Sequence, residues 1–127
     1  MPGKHLYEYA VIRVVPAVER EEFCNVGIIL FCKQQKYIKV LSRLNTGRLK
    51  SFACDLDSDQ LQNNLVAFEK IANGDKNGGP IAEMDLPSRF RWLTAVRSSS
   101  IQTSRPHPGI TDDLDKTAER LFRELVL

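Results

Sequence analysis

The sequence predicts a single α+β domain, an antiparallel sheet of three to four strands with helices packed on one face. Three observations lead there. Strand-like runs dominate the first third of the chain, whereas later apolar residues follow helical spacing. The connections between the early runs are short, which favours antiparallel pairing of neighbours. The chain has 127 residues, 43% hydrophobic and 27% charged, enough for one buried core with no length for a second domain.

Residues 1–6 read as a loose N-terminal tail. Tyr7 to Val15 is rich in β-branched and aromatic residues and stops at Pro16, so it is the first strand. Pro16 to Phe23 is a charged connection. Cys24 to Cys32 is apolar at nearly every position, which predicts a strand buried on both faces. Strict alternation would place Cys24, Val26, Ile28, Leu30 and Cys32 on one face. Gln34-Gln35-Lys36 turns the chain into a third strand, Tyr37 to Ser42. Thr46 to Ala53 is a candidate short helix. Asp57 or Ser58 caps a helix with Leu61, Leu65, Phe68 and Ile71 on its apolar face, and Asn73-Gly74 stops it. Asp75 to Pro80 reads as a flexible surface loop. Pro87 opens a short helix bearing Phe90, Trp92 and Leu93; since Phe90 and Trp92 cannot share one face, one is core and the other an aromatic platform. Ser98 to Ser104 is a short extended stretch, and Pro106-His107-Pro108-Gly109 a turn or loop. Thr111 or Asp112 caps a last helix with Leu114, Ala118, Leu121, Phe122 and Leu125 on one side. The expected core sets Val26, Ile28 and Leu30 under Leu65, Phe68 and Leu121.

Composition excludes several classes. The net charge is only +2, so bulk charge does not drive nucleic-acid binding, although a local basic patch leaves that partner open. No apolar stretch follows the basic start, which argues against a secretory signal. The longest apolar run, Val26 to Cys32, is far short of the ~20 residues a membrane span needs. Cys24, Cys32 and Cys54 are an odd number without CxxC spacing, so they read as buried thiols in a cytoplasmic protein. Phosphate-loop, dinucleotide, zinc-protease and serine-hydrolase motifs are missing, and the histidines are only His5 and His107. No metal or cofactor is expected.

Three constellations could carry chemistry. If the first hairpin folds symmetrically about Glu19, Val15 faces Phe23, Arg13 faces Asn25 and Val11 faces Gly27. Arg13 and Asn25 then share a sheet face beneath Glu19, Arg20 and Glu22. The competing reading is an arginine that merely ties the loop to the sheet. Arg89 to Ser104 gathers three arginines, a tryptophan, hydroxyls and amides, groups that bind phosphate or carboxylate and stack on unpaired bases. A solvated helix and edge strand would look the same. His107, held between two prolines, is a candidate general base if Asp112 or Asp113 orients it, or else part of a rigid turn.

Tyr7 to Pro16, Val18-Glu19-Arg20, Glu22-Phe23 and Asn25-Val26-Gly27 resemble the start of a bacterial domain-of-unknown-function family, number three-zero-three-seven. Arg89-Phe90, Trp92-Leu93, Arg97-Ser98, Gln102-Thr103-Ser104, His107 and Gly109 resemble its closing motif. Val96 and Pro108 depart from that pattern, where a proline and a small residue would stand. The resemblance implies a small bacterial protein often encoded beside a HipA-like kinase, hence a partner, but no reaction, cofactor or catalytic residue.

These readings converge on a non-enzymatic binding or accessory module. It would act with that kinase-like partner or with an anionic ligand such as phosphate, a nucleotide or a carboxylate. The expected site joins Arg13, Glu19, Arg20, Glu22 and Asn25 to Arg97, Ser98, Gln102, Ser104 and His107. The alternatives are a small enzyme on a phosphate ester or nucleic acid, with His107 as base and arginines at the developing charge, and a pure protein–protein adaptor.

Overall fold

The computed structural model describes residues 3–15, 24–44, 58–95 and 101–127. Its elements are β1 (His5–Val14), β2 (Cys24–Cys32), β3 (Tyr37–Ser42), α1 (Ser58–Asn73), α2 (Leu86–Leu93), β4 (Ile101–Thr103), β5 (His107–Thr111) and α3 (Leu114–Leu125). The expected antiparallel α+β domain is present, with five strands. β1 starts two residues earlier than the predicted strand, because His5 and Leu6 pair with Thr111 and Ile110 instead of fraying as a tail. The candidate helix over 46–53 lies outside the described residues.

The sheet runs β3-β2-β1, and both β4 and β5 lie along the far side of β1. β4 pairs with Ile12, Arg13 and Val14, and β5 with His5 through Tyr9, both antiparallel. They are two halves of one edge strand. Between the pairs Tyr9–His107 and Ile12–Thr103, two residues of β1 oppose three of the edge, Ser104, Arg105 and Pro106. That extra residue is a bulge. Ser104 repairs the ladder there. Its backbone N–H donates to the Val11 carbonyl at 2.8 Å, and its hydroxyl accepts the Val11 N–H at 2.9 Å.

His107 to Gly109, expected as a turn, is therefore strand. An edge strand tolerates proline because every second backbone nitrogen faces away from the sheet and has no bond to lose. Gly109 serves a different need. A Cβ there would overlap the ring and hydroxyl of Tyr7, which lies against it.

A second bulge corrects the expected faces of β2. Ile12 pairs with Gly27 but Arg13 with Asn25, so Val26 is an extra residue that reverses the alternation. Cys24 and Val26 join Ile29 and Phe31 on one face, while Ile28, Leu30 and Cys32 point to the other. The predicted pair Arg13–Asn25 is present, whereas Val11 faces Ile28 instead of Gly27. The pairing of Val15 with Phe23 lies outside the described residues. Gly27 itself is needed by crowding, since a Cβ there would sit 2.6 Å from the Leu41 carbonyl oxygen.

Helices cover both faces rather than one. Leu61, Leu65, Phe68 and Ala72 of α1 and Phe90 and Leu93 of α2 cover Ala10, Ile12, Val14, Cys24, Val26, Ile29 and Phe31. Leu114, Ala118 and Leu121 of α3 cover Tyr7, Ile28, Leu30 and Cys32. The predicted single core of Val26, Ile28 and Leu30 under one set of helices is thus two cores, divided by the sheet.

Helix ends follow local chemistry. Gly74, at φ +69°, closes α1, with Gly74 N–H bonded to the Ile71 carbonyl and Asp75 N–H to that of Lys70. The loop expected over 75–80 contains ordered short 3-10 turns, Lys76–Gly78 and Pro80–Glu83. Asp85 caps α2 by accepting from Ser88 N–H at 2.9 Å. For α3 the cap is Asp113, which accepts from Lys116 N–H at 3.0 Å. Neither predicted cap holds that place: Asp112 precedes it, and Thr111, two residues before, accepts from Asp113 N–H.

The first turn of α3 is also tied to β3. The Tyr37 hydroxyl donates to Asp115 Oδ1 at 2.7 Å, and Lys39 Nζ lies 3.4 Å from the same oxygen. The Tyr37 hydrogen bond and the Lys39 charge hold the Asp115 carboxyl below its usual range. Burial and the facing Asp115 push the Tyr37 phenol above its own. A carboxylate lowered on folding contributes stability that is full above its unfolded value of about 4 and is lost as pH falls through the folded value. Thermal unfolding of Asp115→Asn should accordingly show a shallower fall in Tm on acidification than the parent protein. Identical acid limbs would dismiss the tie.

Candidate anion-binding face

β1 carries Tyr7, Tyr9, Val11 and Arg13 on the α3 side of the sheet, two residues apart. α3 packs over β2 and β3. The polar candidates gather where β1, β4 and the start of β2 lie side by side. Arg13 is half-buried, and its register partners are Asn25 on β2 and Gln102 on β4. Directly paired residues point to the same face, so amide, guanidinium and amide form one row across three strands. The bulge at Val26 keeps Asn25 in that row.

Asn25 is fixed from below by the helix. Its Nδ2 donates to the Leu125 carbonyl at 3.0 Å, in the last turn of α3. Its Oδ1 is buried and has no hydrogen-bond partner among the described residues. Such an acceptor is costly to leave unmade. The arrangement sets a guanidinium in register between two carboxamides, groups that bind oxyanions.

His107 sits on the same face but farther along. It pairs with Tyr9, and their rings lie 5.4 Å apart at 40°. Arg13 lies four positions beyond Tyr9 on β1, roughly 13 Å of strand. The histidine therefore borders the row rather than joining it. Among the described residues no carboxylate is hydrogen-bonded to it, and Asp113 is engaged as the α3 cap. Ser104 is buried, with its hydroxyl accepting from Val11 N–H and donating to the Arg105 carbonyl. It acts as a strand repair. Glu19, Arg20, Glu22, Arg97 and Ser98 lie outside the described residues, and so does the separation of Arg13 from Arg97.

The sequence reading passed over Tyr9 and Tyr7 as site neighbours. The signal was available, since period two counted back from Arg13 reaches both. Of the aromatic pair on α2, Phe90 is the core residue, and Trp92 stays 38% exposed. Among the described residues no group of three or more His, Cys, Asp or Glu could hold a metal ion, and no helix is long and apolar enough to cross a membrane.

No curated protein and no solved structure matches the chain. One family model does, described as a protein of unknown function and matching residues 9–126. That span takes in both bulges, the Asn25–Arg13–Gln102 row, His107 and nearly all of the two cores, and the chain belongs to that family, DUF3037.

Proposed function

We propose that the chain is a non-enzymatic binding module of the bacterial cytoplasm that holds an anionic group on the α3 face of its sheet. The observation that supports this most directly is the row Asn25–Arg13–Gln102, with a guanidinium at its centre. Phosphate, a nucleotide phosphate and a carboxylate share the chemistry it suits. In this reading Arg97, Ser98, Arg20, Glu19 and Glu22 belong to the same site, on the strength of the sequence.

Thermal unfolding at low ionic strength with phosphate, AMP and citrate tests it. Any of these that binds the folded state should raise Tm, since a ligand at a hundredfold excess over Kd contributes about 2.7 kcal/mol. Arg13→Gln should keep the fold and lose that rise. No rise with any of the three anions, or an undiminished rise in Arg13→Gln, would overturn the assignment.

A protein partner is the second reading, and a separate observation favours it. Leu6 and Ile110 face each other across β1 and β5, 59% and 68% exposed. Paired exposed aliphatics on an edge suit contact with another protein, such as the kinase-like partner the resemblance implies. Catalysis by His107 has less support, because its described surroundings lack an orienting carboxylate.

A further inference from the structure

The sheet extends beyond the core under α1 and α2. Ala10, Ile12 and Val14 point into that core, so period two places Leu6 and Glu8 on the same side of β1. Both are exposed, and so are their register partners on β5, Ile110 and Pro108. We propose that this end of the sheet face is where two copies of the chain associate, face to face about a two-fold axis. The proposal is independent of the anion site, and it commits the Leu6–Ile110 pair to a second copy rather than to a different protein.

The order of charges along β1 selects that occupant. Lys4, exposed and one residue before the strand, continues its alternation, so Lys4, Leu6 and Glu8 follow one another on one side. This strip is its own complement. When a second strip runs antiparallel over the first, Leu6 meets Leu6 on the axis, and Lys4 of each copy meets Glu8 of the other. The same operation sets Ile110 against Ile110, and Asp112 against the uncharged Pro108. Among the described residues neither Lys4 nor Glu8 has an ion-pair partner within the chain. A two-fold contact requires a self-complementary surface, whereas a different partner would impose no symmetry about Leu6. Strand addition at the outer edge of β5 is disfavoured, because Pro108 has no N–H to give. The contact is therefore between faces. A standard interface takes about 20–30 residues a side, and this strip supplies far fewer, so the association is weak and depends on concentration.

Sedimentation equilibrium at low salt, with the chain at concentrations up to about 1 mM, tests the proposal. The chain should show a reversible monomer–dimer equilibrium. Ile110→Ser, at an exposed position, should weaken it about tenfold and leave Tm unchanged. Glu8→Lys and Lys4→Glu each turn two opposite-charge contacts into like-charge ones, so each variant alone should be monomeric. An equimolar mixture of these two variants should dimerise again, since the reversed strips complement each other, and the double variant Lys4→Glu/Glu8→Lys should self-associate like the parent. Arg13→Gln should leave the equilibrium intact. A parent chain that stays monomeric throughout, a dimer untouched by Ile110→Ser or by either single reversal, or a mixture that fails to dimerise would overturn the proposal. None of these outcomes bears on anion binding, which the thermal shifts measure separately.

Discussion

Replacing Phe90 with alanine is expected to lower stability by about 3–5 kcal/mol, enough to leave a domain of this size marginal at best. Phe90 is almost fully buried, and its ring stacks on Phe31 with centroids 4.7 Å apart and 21° between planes. That stack joins α2 directly to β2. Its loss removes the transfer energy of a whole ring and leaves a cavity among Leu93, Phe68 and Phe31, whose positions are set by other contacts. Urea unfolding measures the effect as a lower midpoint at unchanged m. A loss below about 1 kcal/mol would mean that α2 does not seal this core.

Ile28→Ala should cost about 2–5 kcal/mol, for the same reason on the other side of the sheet. Ile28 is fully buried beneath α3, in the cluster of Leu30, Leu114, Ala118 and Leu121. Because the sheet lies between the cores, Ile28 and Phe90 share no cavity. Their effects should add within about 0.3–0.5 kcal/mol. The milder pair Ile28→Val and Phe90→Leu keeps the double variant folded enough to measure. A larger coupling energy would contradict two separate cores and favour the single core that the sequence suggested.

The two faces also divide the possible functions. One carries a positive centre among amides, and the other a groove with no charged side chain among the described residues of its lining. Arg13 and Thr103 lie in neighbouring register on β1 and β4 yet point to opposite sides of the sheet.

Much of the fold was legible because it rests on local rules. The β-branched and aromatic run of β1, the apolar run of β2, the 3.6-residue spacing of α1 and α3, and Gly74 as a helix stop are each decided within a few residues. Arg13 opposite Asn25 was also legible, from symmetry of the hairpin. β5 was not. His107-Pro108-Gly109 carries the residues of a turn, and only its position along the edge of β1 makes an extended conformation the better solution. Asp113 rather than Thr111 or Asp112 became the α3 cap for a similar reason, a choice among nearby side-chain oxygens settled by where the chain leaves the sheet.

From the residues alone follow the element types, the hairpin pairing at Arg13, the burial of β2 and the family resemblance, all products of short-range sterics and periodicity. The tertiary structure decided which side of the sheet each residue faces. One extra residue at Val26 reverses the alternation of β2, and one among Ser104, Arg105 and Pro106 offsets the edge strand. A bulge is stabilised by contacts with other strands, the close approach of β3 over Gly27 and the Ser104 hydroxyl on Val11 N–H, and those partners are distant in sequence. Periodicity cannot register such an offset, so Cys24 and Cys32 looked alike and ended in different cores. The same long-range packing set α3 against the face opposite α1 and α2, and so gave the polar row a different helix from the one that covers the larger core.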